Sequence, residues 1–217
     1  MTDTPFTPAE LNNALLRAVR EGDIVVFQEA LNSGANASYT DPATGRSLFF
    51  TAIDQLDSEN GVAPRDGAHL IIMMGLINHG ADVNARDNNG ISPLNYTLQK
   101  ENITAATILL ASKANPDENF PPNGDTPLHL AVRLALAGQG VRLLDNLLLM
   151  KADPTVKNNA GVSALDLLGQ FAAGPEDLAV VRDKLAHSPH AMGAMAEQRD
   201  AHQENLRQQA KRFKLGQ

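Results

Sequence analysis

The chain has 217 residues and a formal charge of −7, with no Cys, no Trp and only 4% aromatic residues. The missing Cys excludes disulfides, thiolate metal sites and a cysteine nucleophile, and the acidic balance argues against general affinity for nucleic-acid phosphates. A core drawn from the 43% of hydrophobic residues must therefore be mostly Ala, Leu, Val and Ile, which suits thin, closely stacked helices better than one large globular interior.

The N-terminal stretch "MTDTPFTPAELNN" has neither the basic region nor the apolar run of a secretory signal. No apolar run approaches the roughly 18 residues of a membrane span. A cytoplasmic protein without membrane association is expected, with export lacking a cleavable signal as the alternative. Residues 1–10 read as an extension. The first helix then centres on "NALLRA", and Gly22-Asp23 ends it and turns the chain into a second, "IVVFQEALN". There Val26, Phe27, Ala30 and Leu31 recur at helical spacing. Arg17, Arg20 and Glu21 supply a charged outer surface at this end.

Downstream one segment keeps returning: "GRSLFFTA" at 45–52, "GISPLNYT" at 90–97, "GDTPLHLA" at 124–131 and "GVSALDLL" at 161–168. A second alternates with it: "NSGANAS" at 32–38, "NHGADVN" at 78–84, "SKANPD" at 112–117 and "MKADPT" at 150–155. Ser or Thr followed by Pro starts a helix, because the hydroxyl accepts from free amides and Pro presets φ at the first position. Leu15, Phe49, Leu94, Leu128 and Leu165 should then face the core, while Ala18, Ala52, Thr97 and Ala131 let neighbouring helices approach. Gly34 and Gly80 fit the positive φ of a helix stop, and Lys113 and Lys151 take that place at a conformational cost. "NARDNNG" at 84–90 and "VKNNAG" at 156–161 carry the Asn, Asp and Gly that tight turns use.

The anchor glycines are separated by 45, 34 and 37 residues, a spacing of helix-pair solenoids. With its T-P-L-H-x-A and G-A-D-x-N segments, the chain resembles the ankyrin-repeat family over residues 11–187. The resemblance implies an all-α solenoid of about five helix-turn-helix repeats with β-turn fingers, at about 11–40, 41–86, 87–119, 120–157 and 158–187. A C-terminal polar helix or tail, 188–217, follows.

Departures from the repeat carry the functional hints. Repeat two has an insert between its helices within "DQLDSENGVAPRDGAH", and repeat four a shorter one near "LAGQGV". In "ANPDENFPPNGD", Phe120 is either an exposed fingertip anchor or a ring folded back. The tail holds five Lys and Arg against three Asp and Glu, so it is +2 and the rest of the chain −9. It reads as a capping helix or an arm able to dock on the acidic body.

No phosphate loop, nucleophile elbow or metal-ligand motif is present. His129, beside Thr126, could be read as a general base, but the same repeat slot holds Leu16, Phe50, Asn95 and Asp166, so a helix-entry role fits better. His187 and His190 lack a third ligand, and Asp54, Asp57 and Glu59 read as a solvated acidic loop. No catalytic, cofactor-binding or metal-binding residue is expected, and no enzyme. The resemblance implies instead a module, monomeric when unbound, that holds another protein on its concave finger and inner-helix face. The slots carried over are Arg46, Asp54 and Gln55 in repeat two, then Arg86, Asn88, Asn89, Ile91, Gln99 and Lys100 in repeat three. Phe120, Asn123, Asp125 and Arg133 follow in repeat four, and Lys157, Asn159 and Val162 in repeat five. The expected role is an inhibitor, immunity or protective factor, with an exported effector binding host proteins as the alternative.

Overall fold

Thr7, Ser92 and Thr126 each precede a Pro and stand in extended backbone at the entrance to a helix. In the computed structural model, which describes residues 6–56, 66–137, 141–169 and 175–188, three helices start at such entrances and Asp23 and Asn102 cap two more. The chain divides into two compact units, Met1–Pro122 and Asn123–Gln217. The first holds α1 (Pro8–Glu21), α2 (Ile24–Asn32), α3 (Leu48–Asp54), α4 (Asp66–Asn78), α5 (Pro93–Gln99) and α6 (Ile103–Ala111). The second holds α7 (Pro127–Leu136), α8 (Val141–Leu149), a 3-10 turn (Asp166–Gly169) and α9 (Pro175–Ala186). Strands are absent among the described residues, where isolated antiparallel bridges, among them Thr40 with Ser47 and Lys157 with Ser163, pinch the finger loops.

In the first unit α1–α2, α3–α4 and α5–α6 form helix hairpins, and the first helices α1, α3 and α5 pack side by side in an inner row. Leu15, Phe49, Phe50, Ile53 and Leu94 from that row meet Phe27, Ile72, Met73, Leu76 and Leu109 from the second helices, all essentially without solvent exposure. Each such side chain contributes about 1.5–3 kcal/mol by leaving water. Close stacking depends on small residues. Gly75 of α4 faces Phe27 of α2 so tightly that an added Cβ would lie 2.5 Å from the ring. In the second unit, α7 packs on α8, the 3-10 turn and α9.

Lys113 and Lys151 do adopt positive φ, 70° and 64°, at the same helix-stop place where Gly34 and Gly80 stand at 98° and 78°. Other expectations need correcting. α1 begins at Pro8, inside the expected extension, because "TPAE" is itself a capping box: Thr7 N–H and hydroxyl both donate to the Glu10 carboxylate at 2.8 Å, and Glu10 N–H donates back to the Thr7 hydroxyl. α4 begins at Asp66, inside the stretch 54–69 within which the insert was expected. Residues 57–65 and 138–140, the remainder of the two inserts, and 189–217 of the tail lie outside the described residues. Leu165 is only half-buried, whereas Ala164, Leu167 and Leu168 are buried in its place. Repeat five has Ala164 where α5 and α7 have Pro93 and Pro127, and its first helix is the 3-10 turn Asp166–Gly169.

Candidate partner-binding surface

The fingers are built from Asx turns. Asp87 Oδ1 accepts from the backbone N–H of Asn89 and of Ile91, both at 2.9 Å, and its own N–H donates to the Ile91 carbonyl. Asn158 repeats this with Ala160 and Val162. Adjacent fingers are then tied by a second Asn. Asn88 donates from its backbone to Thr44 and from its amide to Ala43, and Asn159 donates from its backbone to Asn123.

Finger and inner helix meet through a pair of slots eight residues apart. In repeat two the pair is Arg46 and Asp54, 3.7 Å apart. In repeat four it is Asp125 and Arg133, joined by a direct hydrogen bond with the charges exchanged. Arg46 lies 4.8 Å from the Tyr96 ring centre and 5.3 Å from that of Phe50, with Asp87 3.7 Å from its Nε. Lys100 sits 5.5 Å from the same Tyr96 ring and 3.7 Å from Asp54. The Tyr96 hydroxyl donates to Asp54. Burial, then the bond to Asp54 and its negative charge, raise the Tyr96 pKa above the ordinary phenol value.

The structure thus gathers Arg46, Asp54 and Lys100, three residues of the sequence reading, around an aromatic platform. Gln55 and Gln99 are exposed beside them at the ends of α3 and α5, and Asn89 is exposed on its finger. Arg86 is half-exposed but its guanidinium is committed, donating to the Gly90 carbonyl at 2.8 Å and pairing with Glu118 at 2.8 Å. Ile91 and Val162 are partly covered, and the Val162 carbonyl accepts from His129. Lys157 and Asn159 are exposed in the second unit.

Two residues of the reading are not free surface. Phe120 is 9% exposed, so of its two alternatives the ring is folded in and no apolar fingertip is presented. Asp125 is 4% exposed and serves as a hub for Arg133, Asn123 and Asn158. Burial would push its carboxyl up, yet the bonds from Asn158 and Arg133 and the charge of Arg133 prevail and hold it below the ordinary carboxylate value. Glu118 goes the other way: burial outweighs its bond to Ser92 and its pairing with Arg86, and its pKa is raised.

His129 is architectural. Its Nδ1 accepts from the Thr126 N–H at 3.1 Å and lies 2.8 Å from the Thr126 hydroxyl, so the ring proton sits on Nε2, which donates to the Val162 carbonyl at 2.9 Å. Asp166, in the same slot of repeat five, caps Ser163 in the same manner. Sequence reasoning missed Tyr96, Phe50, Asp87, Asn158 and Glu118, because each acts through a neighbour brought close only by folding. The signal available was an aromatic or acidic residue next to an expected contact slot.

Among the described residues there is no group of His, Asp and Glu suited to hold a metal, and no helix long and apolar enough to cross a membrane. A family model for ankyrin repeats in three copies matches residues 62–158. Neurogenic locus notch homolog protein 1 of Danio rerio is 33% identical over 90 residues, 42% of this chain and 4% of that protein. The homologues of the same name from Mus musculus and Cricetulus griseus are 34% identical over 90 residues, 42% of this chain and 3% of theirs. The chain therefore spans a small fraction of the length of these relatives. Paired helices, Asn- and Asp-turned fingers and the T-P-L-H capping box agree with the match, and ankyrin repeats are protein–protein interaction modules. Over residues 62–158 the chain therefore carries ankyrin repeats.

Proposed function

We propose that the chain is a non-enzymatic protein-binding module that engages its partner through the finger and inner-helix face of residues 1–122. The supporting observation is the cluster of Arg46, Asp54, Lys100 and Tyr96, whose partly exposed charges are fixed by aromatic packing rather than left mobile. A fixed side chain loses little entropy on contact, which is what a specific interface requires. Gln55, Gln99, Asn89 and Arg86 border the cluster, and in the second unit Lys157 and Asn159 are further contact candidates. Phe120 and Asp125, both buried, hold the surface in shape. A protein of this kind acts by occupying its partner, as an inhibitor, immunity or protective factor.

The test is site-resolved photo-cross-linking in lysate of the source cell. A photoreactive side chain at Gln55 or Gln99 should capture one discrete partner, whereas one at the exposed outer-helix positions Ile71 or Met74 should not. Capture only from Ile71 and Met74 would move the interface to the opposite face and end this reading.

A further inference from the structure

Resting on that reading, the state of Arg46 indicates what the partner brings. Its guanidinium is clamped over Phe50 and Tyr96, and both of its ion-pair distances, to Asp54 and to Asp87, are 3.7 Å, too long for hydrogen bonds. Among the described residues no group accepts a hydrogen bond from the side chain of Arg46 or of Lys100. Arg86 and Arg133 differ, since both donate directly to protein acceptors. Arg46 is therefore oriented but unsatisfied, 35% exposed, with the 45% exposed Lys100 over the same ring.

We propose that Arg46 and Lys100 form an anchor for a carboxylate side chain, Asp or Glu, on an acidic segment of the partner protein. A planar guanidinium with free N–H groups matches a carboxylate bidentately, and the ammonium can supply a third donor. The two resident carboxylates argue for this partner over a phosphorylated one. Asp54 and Asp87, each 3.7 Å from the guanidinium, already offset much of the local positive charge. A dianion would meet that repulsion twice over, a monoanion once. Asp54 keeps the Tyr96 hydroxyl as its own donor, so the newcomer need not displace it. The overall charge of −7 opposes indiscriminate binding of polyanions, so recognition of an acidic peptide must be local.

Fluorescence anisotropy with the full chain tests this, using labelled hexaglutamate, hexalysine and a serine hexamer carrying one central phosphoserine. Hexaglutamate should bind best. Arg46→Gln and Lys100→Gln should each weaken it by about tenfold, and Arg46→Lys, which keeps the charge but not the fork, by less. Arg142→Gln, an equal charge change at an exposed position of α8, should leave binding unchanged. Unaltered helical circular dichroism in Lys100→Gln keeps the test valid if an Arg46 variant folds poorly. Failure of hexaglutamate to bind, stronger binding of hexalysine or the phosphoserine peptide, or equal loss in Arg142→Gln would overturn the anchor. If hexaglutamate fails while cross-linking at Gln55 or Gln99 still captures a partner, the binding face stands and the carboxylate anchor does not.

Discussion

Gly45 lies against Asn88 of the neighbouring finger so closely that a Cβ on Gly45 would stand 2.4 Å from the Asn88 Oδ1 and 3.0 Å from its backbone nitrogen. Gly124 stands in the same relation to Asn159, at 2.4 Å and 3.0 Å. Both glycines also have positive φ, 70° and 72°. Gly90 shares the backbone conformation, φ 77°, but no atom lies within 4 Å of its absent Cβ. Gly90→Ala should then cost only backbone strain, about 1 kcal/mol. Gly45→Ala and Gly124→Ala add a clash with backbone and should cost more than about 2 kcal/mol. Urea unfolding midpoints check the ranking; equal losses at all three sites would show that the finger contact is unimportant.

The His slot gives a second contrast. His129→Ala removes both the cap on Thr126 and the bond to Val162 and should destabilise by about 2–3 kcal/mol. Asn95 occupies the same slot with no exposure, and neither of its amide atoms has a protein hydrogen-bond partner. Asn95→Leu, near-equal in volume, should therefore hold or raise stability by about 1 kcal/mol. A melting temperature that falls in Asn95→Leu as far as in His129→Ala would contradict this.

Two buried acids should tilt the pH dependence of stability in opposite directions. The raised pKa of Glu118 means that the folded state retains a proton the unfolded chain has released, so its contribution is full at low pH and is lost as pH rises through the raised value. The lowered pKa of Asp125 contributes stability above the ordinary carboxylate range that is lost as pH falls through its depressed value. Glu118→Gln should flatten the decline on the higher-pH side of that range, and Asp125→Asn the decline on the acid side. Urea midpoints across acid to neutral pH read both.

Phe120→Ala should lower stability by about 2–4 kcal/mol, because a nearly buried ring leaves a cavity. A variant as stable as the parent but unable to capture the partner would return Phe120 to the surface.

The local rules were legible in the sequence. Ser-Pro and Thr-Pro entrances, the helix stops at Lys113 and Lys151, and the capping role of His129 all follow from residues within a few positions of one another. What escaped was set by distant partners. Asn88 acts on a finger 45 residues back, by its bond to Ala43, and nothing in "NARDNNG" says which Asn stacks and which turns. Arg46, Asp54 and Lys100 could be assigned to one face from repeat slots, but their joint platform, Tyr96, sits in a slot whose counterparts carry no such role. Phe120 shows the limit from the other side. Its flanking Pro and Asn residues left an exposed and a folded-back ring equally open, because the direction of the ring is decided by how the finger closes.

Hydrogen–deuterium exchange on the chain with its captured partner tests the binding-face account most directly. The account requires slowed exchange in the fingers at 40–47 and 84–91 and at the C-terminal ends of α3 and α5, with α2, α4 and α6 unchanged. Protection confined to α4 and α6, around Ile71 and Met74, with the fingers unaffected, would contradict it.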